Sequence, residues 1–176
     1  MRLVVLTGAS GSGKTAIANA IKIRRPNIAE VLHFDSIGVP SSGAMVAGWG
    51  TGEAWQRAMT LAWMARIATM SGHDRPVLFE GQMRLSFVRK GLLSSSIADA
   101  RMILVDCNDA TRSQRLSANR NQPELASSTM MDWAAFLRRE AQMTGCEVLD
   151  TSEISLEESV EQVCRYLGAN RPRGVA

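Results

Sequence analysis

The stretch GASGSGKT, Gly8 to Thr15, decides the fold. It follows directly on the apolar run Leu3–Leu6 and leads into KTAIANAIKIR, a segment of helical pattern over 14–24. Three glycines in eight positions let a chain curl until successive N–H groups face one point. A helix starting there adds the positive end of its dipole. The spacing G-x-x-x-x-G-K-[ST] is met by Gly8, Gly13, Lys14 and Thr15. Strand before and helix after are the context in which that spacing reads as a polyphosphate cradle. Gly8, Ala9, Ser10, Gly11, Ser12, Gly13, Lys14 and Thr15 are thus expected to wrap a nucleotide's phosphates. Lys14 would reach the outer ones, and the Thr15 hydroxyl would ligate Mg²⁺. The alternative, a Gly/Ser turn with an exposed lysine, does not explain the flanking elements.

Working outward, further short apolar runs occur at Val31–Phe34, Val77–Phe79, Met102–Val105 and Val148–Leu149. Between them lie helical patterns at roughly 52–70, 83–94, 109–119, 131–144 and 156–167. Strands alternating with helices predict an α/β chain on a mainly parallel, about five-stranded sheet. The runs are apolar throughout, as strands covered on both faces are. Thr51 and the Ser155/Glu158 pair read as helix starts, the latter a capping box. Segments 36–50 and 120–130 read as loops.

Most runs end in a polar residue: Thr7, Asp35, Glu80, Asp106 and Asp150. Ligands of open α/β sheets collect at that edge. Asp106 and Asp150 read as turn or capping residues. Asp35 and Glu80 are candidates for chemistry.

The chain of 176 residues with a net charge of +3 carries no clustered Lys/Arg tract, which speaks against nucleic acid as a partner. It has no apolar stretch of bilayer length, and its opening run, too short for an apolar leader segment, gives the expectation of no secretory leader. The three cysteines, Cys107, Cys146 and Cys164, show no metal-ligand spacing and suit reduced thiols in a cytoplasmic protein.

Taken together, GASGSGKT, HFDS, LFEGQMR and DCNDATRSQRL resemble the P-loop kinases of nucleotides and small metabolites. These include the adenylate, shikimate and gluconate kinases and antibiotic phosphotransferases of chloramphenicol type. The resemblance spans about residues 1 to 168 in motif order. It implies one three-layer P-loop NTPase domain with a short helical lid over 112–130 and an acceptor region over 36–70. It implies ATP and Mg²⁺ as cofactors and a small-molecule acceptor, a hydroxyl of a metabolite or nucleotide. By the match to a DGFPR-type segment, Glu80 would hold Mg²⁺ through water and Arg84 would meet the acceptor. Here Glu stands for Asp and Gln82-Met83 for Phe-Pro, so a nucleotide acceptor is less well supported. A capping or ion-paired carboxylate is the alternative for Glu80, a solvated helix arginine for Arg84. Asp35 stands where an acid accepts or orients the acceptor hydroxyl, without the second acid of the shikimate kinases. Arg112, Arg115 and Arg120 would neutralise charge as a lid closes; the alternative is an outward face paired with Asp106 and Asp109.

Trp55, Met59 and Trp63 recur at helical spacing and read as core. Arg57 and Arg66 are the cations available on that helix, Arg57 a candidate acceptor contact. His33 reads as structural and His73 as an exposed loop residue. Thr151 and Ser152 flank the expected adenine position, with backbone rather than side chains doing the reading. The competing function is an ATP-binding regulatory module with slow hydrolysis and no acceptor.

Overall fold

The computed structural model describes residues 1–70, 72, 74–119 and 121–168, with the Asn119 side chain left aside. Arg120 and His73 therefore lie outside the described residues.

Five parallel strands form one sheet: β1 (Leu3–Thr7), β2 (Glu30–His33), β3 (Val77–Gly81), β4 (Ala100–Asp106) and β5 (Glu147–Asp150). Their order is β2-β3-β1-β4-β5, with β1 at the centre. Among the described residues seven α-helices connect or follow them: α1 (Lys14–Arg24), α2 (Ser42–Trp49), α3 (Gly52–Ala68), α4 (Leu85–Ser94), α5 (Asp109–Gln114), α6 (Ser128–Thr144) and α7 (Leu156–Tyr166). All five expected strands are present, and the α/β sheet is parallel throughout.

The alternation of β1 sorts the core into layers. Val4 and Leu6 face one side, packed with Ile17 and Ile21 of α1 and Val160 and Val163 of α7. Leu3 and Val5 face the other, packed with Trp63, Met64 and Ile67 of α3 and Val88 of α4. Ala134, Leu137 and Ala141 of α6 extend that second layer over Leu85 and Leu104. Period two in the strands against 3.6 in the helices makes this three-layer arrangement.

The helix starts follow their caps. Thr51 accepts from the Ala54 amide at 3.0 Å, and Ser155 forms a complete capping box with Glu158. Segment 36–50, expected as a loop, contains α2, capped by Ser41. Its composition gives no charged or polar face on which periodicity would show. The 109–119 pattern divides: α5 ends at Gln114, and Arg115–Asn119 winds as a π turn. A further short 3₁₀ turn spans Pro123–Leu125.

Asp106 proves to be neither a cap nor a turn former. The α5 cap is Asn108, whose Oδ1 accepts from the Thr111 amide at 2.8 Å. Asp106 is a buried anion held between Arg112 and Arg138. Asp150 does form a turn, accepting from the Ser152 amide at 2.8 Å. That amide and, more strongly, the Ser152 hydroxyl hold its carboxyl below the usual range.

Candidate functional site

The loop Gly8–Thr15 leaves the central strand at its C-terminal edge and turns into α1. Gly8 is required by proximity: a Cβ there would lie 2.2 Å from the Val105 carbonyl oxygen of the neighbouring strand. Gly13 is required by conformation, since it caps α1 at φ 98° in the left-handed region. The first-turn N–H groups of α1 have no partner within the helix. The Ser12 hydroxyl is buried in the loop without a hydrogen-bond partner. Unsatisfied donors, a helix N-terminus and a buried Lys14 fit a polyphosphate.

Two arginines hold the loop from beneath. Arg112 is fully buried. Its Nη1 donates to the Ser10 carbonyl at 2.7 Å, and its Nη2 donates to Asp106 and, at 3.2 Å, to the Cys107 carbonyl. Arg112, expected either in a closing lid or on an outward face paired with Asp106 and Asp109, does pair with Asp106, but inside the protein beneath the loop. Three residues apart, Arg112 and Arg115 both turn toward the loop, because the buried carboxylate of Asp106 and the loop carbonyls need cationic donors. Arg115 donates to Thr151 Oγ1 at 2.8 Å and to the Thr151 carbonyl at 2.7 Å. Thr151 in turn donates to the Ser12 carbonyl at 2.8 Å. Its side chain, expected to be idle, ties the β5–α7 turn to the phosphate loop. Ser152 Oγ likewise accepts from the Asn108 amide at 2.8 Å.

On this β4–β5 side lies a cavity of about 240 Å³ lined by Gly13, Ala16, Arg115, Thr151, Ile154 and Leu156 among others. Cys107 stands behind the loop, its Sγ 3.6 Å from the Gly11 carbonyl. Burial pushes its thiol up, as it does for Cys146 and Cys164.

At the end of β3, Glu80 joins three elements. Thr15 Oγ1 donates to Glu80 Oε2 at 3.0 Å, and His33 Nδ1 lies 2.8 Å from Glu80 Oε1. Glu80 is buried. His33, read from sequence as structural, belongs to this cluster: His33 and Glu80 are register partners on adjacent parallel strands. No signal in the sequence announced this, since the pairing is made only by the parallel register of β2 and β3. Among the described residues no group of three or more His, Cys, Asp or Glu forms a metal cage. Two hard oxygens at 3.0 Å suit Mg²⁺, which keeps waters and phosphate oxygens as its remaining ligands.

On the β2–β3 side, Asp35 is exposed in a 3₁₀ turn, Phe34–Ile37, rather than in the strand itself. It lines a cavity of about 330 Å³ with Phe34, Val39, Met45, Trp55 and Gln82. Trp55 and Trp63 are buried core, as the stripe predicted, and Trp55 also forms cavity wall. An adjoining cavity of about 200 Å³ is lined by Glu53, Gln56, Gln82, Arg84 and Trp133. Ser10 Oγ donates to Gln82 Oε1 at 3.2 Å, linking this wall to the phosphate loop. Thr7 pins the same turn, its hydroxyl accepting from the Met83 amide at 3.0 Å.

Arg84 is no solvated arginine. It pairs with Glu53 at 2.8 Å, and its guanidinium carbon lies 4.8 Å from the Phe136 ring centroid and 5.7 Å from that of Trp133. The α4 it introduces is capped by buried Glu140 of α6, which accepts from the Leu85 amide at 2.7 Å. Arg57 is exposed on α3 and lines neither cavity. Trp49 ends α2, partly exposed.

A glycine-rich loop on the central strand, with a cavity to either side at the carboxyl edge, defines a three-layer P-loop fold. No protein-family model matches the chain, and no curated protein matches it in sequence. Solved structures do match in fold. A sugar kinase from Janibacter sp. HTCC2649 superposes with a TM-score of 0.72 at 16% identity, covering 97% of this chain and 96% of that one. The shikimate kinase of Acinetobacter baumannii, in complex with shikimate, gives 0.64 at 12% identity, covering 98% and 96%. The APS kinase of Mycobacterium tuberculosis, in complex with AMPPNP and APS, gives 0.60 at 17% identity, covering 95% and 97%. At these identities the likeness is one of fold.

Proposed function

We propose that the protein is an ATP- and Mg²⁺-dependent kinase that transfers the γ-phosphoryl group to a hydroxyl of a small molecule. The observation that carries this reading is the placement of the loop between two cavities, of which the β2–β3 one is lined by Asp35 and the one beside Arg115 and Thr151 by no carboxylate among the described residues. The β4–β5 cavity suits an adenine beside Arg115 and Thr151, whose backbone and guanidinium plane border it. The β2–β3 cavity holds Asp35 at its wall.

In this reading Gly8–Gly13 amides and Lys14 grip the triphosphate. Mg²⁺, when bound with the nucleotide, neutralises phosphate charge, and Thr15 and Glu80 would hold it, Glu80 through water. His33 fixes the Glu80 carboxylate from its other oxygen. Asp35 orients the acceptor hydroxyl and takes its proton as the oxygen bonds to phosphorus and ADP departs. Arg115 spreads its charge along the loop carbonyls and the β5–α7 turn. Arg112 acts from below as a positioning residue. Residues 36–70 serve as the acceptor region, and the segment after Arg115 as the lid, with Arg120 a candidate contact within it.

The experiment is ADP release with purified protein, with and without a panel of hydroxyl metabolites and nucleosides. Stimulation by an acceptor, abolished by Asp35→Asn while Mg-ATP affinity holds, supports transfer. A slow rate that no acceptor changes favours a regulatory nucleotide-binding module instead.

A further inference from the structure

The two adjoining cavities on the β2–β3 side share Gly52, Gln56 and Gln82 and form one acceptor space. Among the described residues three charged side chains line it: Asp35, Glu53 and Arg84. Two are carboxylates. The one guanidinium is already committed, paired with Glu53 at 2.8 Å and boxed by the rings of Phe87, Trp133 and Phe136. Arg57, the nearest cation in sequence, lines neither cavity. Arg66 is spent on the Trp63 ring at 5.0 Å.

The remaining wall is apolar. From Ser36 to Gly52 the chain carries no charged residue, and this span supplies Val39 and Met45 to the cavity. Phe34 and Trp55 complete the wall, set edge to face at 5.8 Å. Within the span, α2 has no buried residue, and Val39 and Val46 remain exposed. Two buried polar atoms of the lining residues lack a partner, Gln56 Oε1 and Trp133 Nε1: one acceptor and one donor, both uncharged.

Among the described residues, an anionic acceptor would meet a net negative lining whose one cation is already paired with Glu53, which leaves its desolvation uncompensated. We infer that this cavity takes an uncharged hydroxyl compound with an apolar face and discriminates against acceptors that carry a phosphate or carboxylate. The inference rests on the proposed phosphoryl transfer only for the word acceptor; the charge preference belongs to the cavity itself.

The test compares 1-phenylethane-1,2-diol with mandelate, which replaces the terminal CH₂OH by a carboxylate, on the full chain with Mg-AMPPNP filling the donor side. Binding is followed by ligand-observed NMR and by tryptophan fluorescence, to which Trp55 reports. The diol is expected to bind about tenfold or more tighter than mandelate. Glu53→Gln, which frees Arg84 and cancels the net charge, is expected to bring the two within about threefold. Equal or tighter binding of mandelate to the unmodified protein overturns the inference. So does failure of both compounds to bind, or a preference untouched in folded Glu53→Gln. Preferential binding of the diol with no acceptor-stimulated ADP release removes the kinase reading and leaves the inferred preference supported.

Discussion

Arg112→Met isolates what the buried guanidinium does. Methionine matches the aliphatic stem and carries no charge, so it keeps the stem's packing while removing every hydrogen bond of the guanidinium. Lost are the donations to the Ser10 carbonyl at 2.7 Å, to the Cys107 carbonyl at 3.2 Å and to the Asp106 carboxylate. Removing one member of a buried ion pair costs about 3–5 kcal/mol, chiefly because the other is left uncompensated. Here Arg138 still donates to Asp106 Oδ2 at 2.5 Å, which places the loss at the lower end. A loss of about 3 kcal/mol corresponds to a fall in Tm of about 6–12 °C for a chain of this size. The freed Ser10 carbonyl also loosens the phosphate loop, so Mg-ATP affinity should fall with stability. Calorimetric unfolding with and without Mg-ATP, together with urea titration, measures both. An exposed lid arginine would change stability by no more than about 0.5 kcal/mol. A variant with wild-type Tm and abolished turnover would therefore refute the buttress and restore the lid.

Gly8→Ala places a methyl 2.2 Å from the Val105 carbonyl oxygen, so strand β4 and the loop must separate. The expected cost is about 1–3 kcal/mol by overpacking, with calorimetric Mg-ATP binding lost, and unchanged binding would contradict the packing. Glu80→Gln keeps the shape but removes the charge beside Thr15; the Mg²⁺ concentration for half-maximal nucleotide binding should rise about 10–100-fold, with Tm little altered. Acid should destabilise the C-terminal edge and α7. Asp150, Glu158 and Glu161 are held below their ordinary values by Ser152, Ser155 and Arg25 respectively. Groups with lowered folded pKa stabilise above the unfolded value and lose that contribution as pH falls through the folded one. The urea midpoint should therefore drop from pH 7 to below about pH 4, and a midpoint that held or rose would contradict these assignments.

Chain-local features announced themselves in the sequence. Gly8, Gly13, Lys14 and Thr15 stand in a fixed spacing because a loop that curls around an anion is built from consecutive residues. Strands and most helices followed from apolar period and from caps such as Thr51 and Ser155, again interactions within a few positions. The Trp55–Trp63 stripe declared its core face in the same way. Contacts between distant segments had no such signature. Whether Arg112 meets Asp106 at the surface or inside the protein depends on the elements that close over that carboxylate, among them α6 with Arg138. His33 joins Glu80 only because β2 and β3 lie side by side in one register. Arg84 is quenched by Glu53 and by rings from α4 and α6, which approach it only once the layers close. Local propensity acts over a turn of chain, whereas charge pairing in a buried site is decided by which elements the sheet order brings together.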